Sequence, residues 1–125
     1  MPGALVLIVD DNEMNVKLAR DVLRFAGFRT LEAANAEEAI AMADEHQPNL
    51  ILMDIRLPDM DGVAAVGELR SRPRTAGIPV VALTAFAMKG DRERFLAAGF
   101  DGYLEKPISV KEFPEQVRRF CETDR

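Results

Sequence analysis

One cysteine among 125 residues, Cys121, leaves no partner for an internal disulfide. The start of the chain lacks the charged segment and long apolar stretch of a secretory leader, and no apolar run approaches the ~20 residues of a membrane span. The runs Leu5–Val9 and 50–53 both stop at aspartates. A soluble, cytoplasmic protein with no membrane partner is expected. Clustered basic residues are lacking as well, since 16 Lys and Arg stand against 21 Asp and Glu for a net charge of −5. That balance argues against a phosphate-backbone binder, so no nucleic-acid partner is expected. No linker or low-complexity segment divides the chain. Residues 1–125 therefore read as one domain with no effector domain attached, long enough to bury roughly two-thirds of its unfolded surface. A glycine-rich phosphate loop is missing too, because the first apolar run leads into Asp10-Asp11-Asn12-Glu13.

What is present is a regular alternation of strand and helix patterns. Residues 4–9 read as a strand, and Asn12 as the N-cap of a helix reaching residue 26 that Gly27 closes. In that helix Met14, Leu18, Val22 and Phe25 recur at helical spacing, the pattern of a buried face. Strands follow at 28–33, 50–53, 78–83 and around Tyr103-Leu104, with helices at 36–45, 63–71 and 91–98 between them. The wholly apolar, β-branched run 78–83 should be a central strand. A last helix starts near Ser109 with the face Val110, Phe113, Val117 and Phe120, which puts Pro114 in its first turn. Such alternation implies right-handed crossovers and helices on both faces of a parallel sheet. The expected fold is α/β, a flavodoxin-like (βα)5 doubly wound sheet of strand order 2-1-3-4-5.

Charges then collect where that fold places ligands. Asp10-Asp11 and Asp54 end the first and third strands, which flank the switch point, and Lys106-Pro107 follows the fifth. Two unit charges about 5 Å apart repel by roughly 3 kcal/mol at an effective dielectric of about 20, so three carboxylates call for a cation. Oxygen ligands without His or Cys suit Mg²⁺. Asp54, alone at its strand tip, is placed to act as a nucleophile toward phosphorus. Lys106 could neutralise a phosphoryl oxygen and the Thr84 hydroxyl could bond another, while Lys106-Pro107 is a candidate cis peptide.

The set Asp10-Asp11, Met53-Asp54, Leu57-Pro58-Asp59-Met60-Asp61-Gly62, Leu83-Thr84-Ala85 and Lys106-Pro107 resembles the response-regulator receiver domain of two-component signalling, from end to end of the chain. The stretch from Thr84 to Asp91 is most similar to DivK-like single-domain receivers and to receivers of hybrid kinases. The resemblance implies that Asp54 accepts the phosphoryl group. It also implies that Asp11, Asp54 and the backbone carbonyl of Arg56 ligate Mg²⁺, with Asp10 acting through a water on the ion. Thr84 and Lys106 would bind the phosphoryl group, and Tyr103 would move inward as Thr84 shifts. Met14 and Arg56 fall where receivers vary and tune phosphoryl lifetime. The implied partners are a sensor histidine kinase or histidine phosphotransferase, plus a downstream protein bound through the fourth helix, fifth strand and fifth helix. The chain would then be no enzyme of its own, but a phosphoacceptor switch that assists its own phosphorylation and dephosphorylation.

Rival readings and plainer residue roles stand beside this. An aspartate-nucleophile phosphatase would carry a second acid where Arg56 stands, and a flavin carrier would need a hydroxyl- and glycine-rich first loop. An adaptor that works without phosphorylation would not need the complete set. Asp10-Asp11 and Thr84 could be helix caps, and Tyr103 a half-buried strand residue without a switching role. Met88-Lys89 reads either as helix surface or as a partner contact. His46 reads as solvated, Cys121 as packing, and Asp91-Arg92-Glu93-Arg94 as a solvated helix face.

Overall fold

The computed structural model describes residues 3–85 and 90–121. Within them the chain alternates β1 (Leu5–Val9), α1 (Glu13–Phe25), β2 (Arg29–Ala33), α2 (Ala36–His46), β3 (Leu50–Asp54), α3 (Gly62–Ser71), β4 (Val80–Thr84), α4 (Asp91–Ala98), β5 (Gly102–Glu105) and α5 (Phe113–Cys121). All pairings are parallel and the order is β2-β1-β3-β4-β5, as the alternation predicts. Met88 and Lys89 lie outside the described residues. Among those residues no helix is long and apolar enough to cross a membrane.

Unbroken apolar runs go to the middle of the sheet because both of its faces are covered. Every residue of β3 and β4 is buried. One face carries α1 and α5, whose Val16, Ala19, Leu23, Phe113 and Val117 pack with Val6, Ile8, Leu52 and Val81. The other carries α2, α3 and α4, with Ile40, Leu69 and Phe95 over Leu7, Ile51, Met53 and Val80. Val9 pairs with Met53, so the chain leaves β1 and β3 at the same height and Asp10 emerges beside Asp54.

Two helices differ from the sequence reading. In α1 the Asn12 cap is as predicted, its Oδ1 accepting from the N–H groups of Met14 and Asn15 at 2.9 and 3.1 Å. Val22 packs partly against the core as read, but the buried face is Val16, Ala19 and Leu23, and Met14, Leu18 and Phe25 are 76%, 39% and 96% exposed. Both sets have helical period, and the small Ala19 is what lets α1 sit close to the sheet. α5 begins at Phe113 rather than near Ser109, after a turn at 110–112 that leaves Val110 exposed. Proline is tolerated only in the first turn of a helix, and Pro114 therefore sets the start just before itself.

Two side chains tie loops to the frame. Asp59, in the β3–α3 loop, accepts the N–H groups of Ala36 and Glu37 at 2.9 Å each, which holds its carboxyl below the usual range and fastens α2 to that loop. At the opposite end of the sheet, Arg70 of α3 donates to the carbonyls of Gly99, Ala76 and Ile78 at 3.0, 2.9 and 2.7 Å and to Asp101 at 2.8 Å. Asp101 in turn accepts the Val80 N–H at 2.8 Å.

Urea denaturation checks the face of α1. Leu23→Ala is expected to lower the unfolding free energy by about 2–5 kcal/mol and Phe25→Ala by less than ~0.5 kcal/mol. A larger loss at Phe25 would restore the face read from the sequence.

Candidate functional site

The C-terminal ends of β1, β3, β4 and β5 surround a cleft of about 420 Å³ whose lining includes Asp10, Asp11, Asp54, Arg56, Thr84 and Lys106. Every metal or phosphoryl residue predicted from sequence is therefore in one place. Asp10, Asp54 and Thr84 are buried, and Asp11 stands exposed at the mouth. One oxygen from each of Asp10, Asp11 and Asp54 lies within 4.8 Å of the others. That oxygen-only set fits Mg²⁺, a small hard cation that takes one or two carboxylates and fills its remaining positions with water or phosphate.

Hydrogen bonds fix each carboxylate. Asp10 accepts the Asn12 N–H at 2.9 Å and the Asn15 amide at 3.3 Å. Asp54 Oδ1 accepts the Arg56 N–H at 3.0 Å. The loop behind it is pinned by the Gly62 N–H bonding the Ile55 carbonyl at 2.7 Å and by an antiparallel bridge between Arg56 and Asp61. Gly62 admits no side chain here, because a Cβ would stand 2.9 Å from Ile55 Cα and 3.0 Å from the Asp54 carbonyl oxygen. Lys106 approaches from the other side. Its backbone N–H bonds the Thr84 carbonyl at 2.8 Å, the Lys106-Pro107 peptide is cis, and Nζ donates to Asp10 Oδ2 at 2.8 Å and to Asp54 Oδ2 at 3.0 Å.

Both ends of that ion pair are raised, each for its own physical reason. Burial pushes the Asp54 carboxyl above its ordinary value; the Arg56 N–H and Lys106 oppose this, and the charge of Asp10 adds to it. Burial also works against the charge on Lys106, yet its hydrogen bonds to Asp10 and Asp54 outweigh that and raise it. The ammonium has two carboxylates, whereas Asp54 shares its single ammonium with Asp10.

Tyr103 on β5 is half-buried, with its ring 6.1 Å from that of Phe95 at 60°. Among the cleft residues not read from the sequence as site residues are Asn15 and Arg94. Asn15 could have been found, since it follows the Asn12 cap by three positions on one helix face. Arg94 is exposed, as expected of its solvated run, and together with Phe95 it also borders the cleft from α4. A charged helix surface gives no periodic signal of which side meets a pocket.

A lysine-bridged acidic cleft at the switch point of a doubly wound sheet defines a class, the α/β domain that takes a cation and an anionic group together. The comparison with known families narrows it: residues 6–118 match the response regulator receiver domain, and the chain belongs to that family. It is 46% identical over 115 residues to the polar-differentiation response regulator DivK of Brucella anthropi, covering 92% of this chain and 94% of that protein. Among solved structures, the receiver domain of a Pseudomonas aeruginosa sensor histidine kinase is 36% identical with a TM-score of 0.88, covering 97% of this chain and 99% of that one, and has magnesium coordinated in its active-site cleft. A chemotaxis response regulator of Vibrio cholerae is 27% identical over 94% of this chain and 98% of its own, also with a TM-score of 0.88. The chain is thus a phosphoacceptor switch that signals through phosphorylation-dependent protein contacts.

The raised Asp54 carboxyl has a measurable consequence in metal-free buffer. A folded-state value above the unfolded one means that the native state holds its proton longer, so this group's contribution to stability falls as pH rises from the ordinary 3.8 through the folded value. Asp54→Asn is therefore expected to melt above wild type at pH 7 in EDTA, with the gap closing as pH falls through the carboxylate range. A variant less stable than wild type at pH 7 would contradict the shift.

Proposed function

We propose that the chain is a single-domain response regulator whose phosphoacceptor is Asp54. The observation that carries this reading is the seat of the Asp54 carboxylate, at the tip of the central strand and 3.0 Å from Lys106 Nζ. A carboxylate oxygen of Asp54 attacks the phosphorus of a phosphohistidine; the P–N bond breaks, the imidazole leaves, and an acyl phosphate forms. Lys106 holds one phosphoryl oxygen and the Thr84 hydroxyl donates to another. Asp11, Asp54 and the Arg56 carbonyl would hold Mg²⁺, with Asp10 acting through a water on the ion. The ion supplies neutralisation of the charge that the phosphoryl group brings among three carboxylates. By the same groups the protein assists both its phosphorylation and its dephosphorylation.

Action as a single receiver domain is supported by the DivK relative, of which 94% is covered by this chain. Output then passes through protein contact. A groove over β5 lined by Arg92, Leu96, Tyr103, Ile108, Glu112 and Phe120 offers the face of α4, β5 and α5 to a downstream protein. The exposed Met14 and Leu18 support docking of a histidine-bearing donor, kinase or phosphotransferase, on α1. Leu18 shares a small apolar recess with Lys106, Pro107 and Ile108, so a helix seated there carries its phosphohistidine to the cleft mouth.

With Mg²⁺ and acetyl phosphate, intact mass spectrometry is expected to show one added phosphoryl group on wild type and none on Asp54→Asn. Labelling of the variant, or none of wild type across several small donors, would overturn the assignment. Mg²⁺ alone is expected to raise the melting temperature, by the equivalent of about 2.7 kcal/mol at 100 times its dissociation constant. Asp11→Ala should lose most of that rise, and an equal rise in the variant would remove Asp11 from the metal site.

A further inference from the structure

The cleft that holds Asp54 and Lys106 has a wall from α4, formed by Arg94 and Phe95. Arg94 Nη2 lies 3.3 Å from Asp91 Oδ1 one turn earlier, and its guanidinium stacks 4.9 Å from the centre of the Phe95 ring. The Arg94 side chain is 62% exposed and that of Asp91 17%. An i,i+3 pair at this distance whose arginine lies mostly in water gains little, whereas a planar guanidinium on phosphate oxygens makes some of the strongest charge-assisted hydrogen bonds. Phosphorylation adds negative charge and three acceptor oxygens to the cleft that Arg94 already faces. Arg92, two residues earlier, lines the groove over β5 instead.

We propose that Arg94 is a phosphoryl-contacting residue that exchanges Asp91 for a phosphoryl oxygen on Asp54, and so couples phosphorylation to the position of α4. This rests on the reading of Asp54 as the acceptor. The coupling has a material route. Phe95, next to Arg94, is 1% exposed and packs edge-on against Tyr103 at 6.1 Å and Phe100 at 5.9 Å. A pull on Arg94 therefore moves the ring on which Tyr103 rests, beside the groove offered to partners. Tyr103 is the only tyrosine in a chain without tryptophan, so its fluorescence reports this contact directly.

The test titrates beryllofluoride, a non-covalent phosphoryl mimic, into Mg²⁺-loaded full-length protein, with calorimetry for affinity and Tyr103 fluorescence for coupling. Arg94→Gln is expected to weaken binding at least fivefold and to lose most of the fluorescence change; Arg94→Lys, a point charge without the fork, should fall between. Arg72→Gln, which removes an exposed arginine that lines neither the cleft nor the groove, should match wild type. Asp91→Asn separates contact from mere helix support, because it breaks the same ion pair but leaves Arg94 free for the mimic; it should bind at least as tightly as wild type. Wild-type affinity in Arg94→Gln, or equal weakening in Arg94→Gln and Asp91→Asn, would overturn the proposal. No binding to wild type, or undiminished binding to Asp54→Ala, would instead overturn the acceptor assignment and take this proposal with it.

Discussion

The Lys106 ammonium is held by carboxylates that lie 96 and 52 residues earlier in the chain, and the upper end of the sheet is arranged around that meeting. A flexible lysine could not by itself gather Asp10 and Asp54. They are already adjacent because β1 and β3 are neighbours in register, and Lys106 is fixed over β4 by its bond to the Thr84 carbonyl. The long-range pairing of strands comes first, and the ion pairs follow from it. One ammonium between two buried carboxylates leaves excess negative charge at the floor of the cleft, and that excess is what makes the site receptive to a cation.

The central strands were legible because burial on both faces demands unbroken apolar runs. The charges that end those runs could then be assigned to a single crevice from topology alone. What the sequence obscured were choices between equivalent patterns. Met14, Leu18 and Phe25 recur on α1 as regularly as Val16, Ala19 and Leu23, and hydrophobicity favours the wrong set because Ala19 is small. Periodicity tells that a helix has an apolar stripe; it does not tell which stripe meets the sheet when a second one is kept for the surface. The start of α5 was misplaced for another reason, since Val110 fits the helical period but the backbone enters the helix only where Pro114 permits.

Arg94 illustrates a third kind of silence. Its neighbours Asp91, Arg92 and Glu93 are all charged, so nothing in the local pattern marks out the one side chain of the four that also borders the cleft. Only the placement of α4 beside β4 and β5 distinguishes it. Helices from both faces of the sheet reach the cleft, α1 through Asn15 and α4 through Arg94 and Phe95.

Arg70 gives that arrangement a fixed end. Its guanidinium grips the Gly99 carbonyl, just beyond the last residue of α4, together with Asp101 and the loop before β4. The eight residues of α4 form a rod about 12 Å long. A rod tethered at its far end turns when pulled at the other, so Gly99 acts as a fulcrum and displacement grows toward Gly90. One guanidinium thus ties the far end of α4 to the bottoms of β4 and β5.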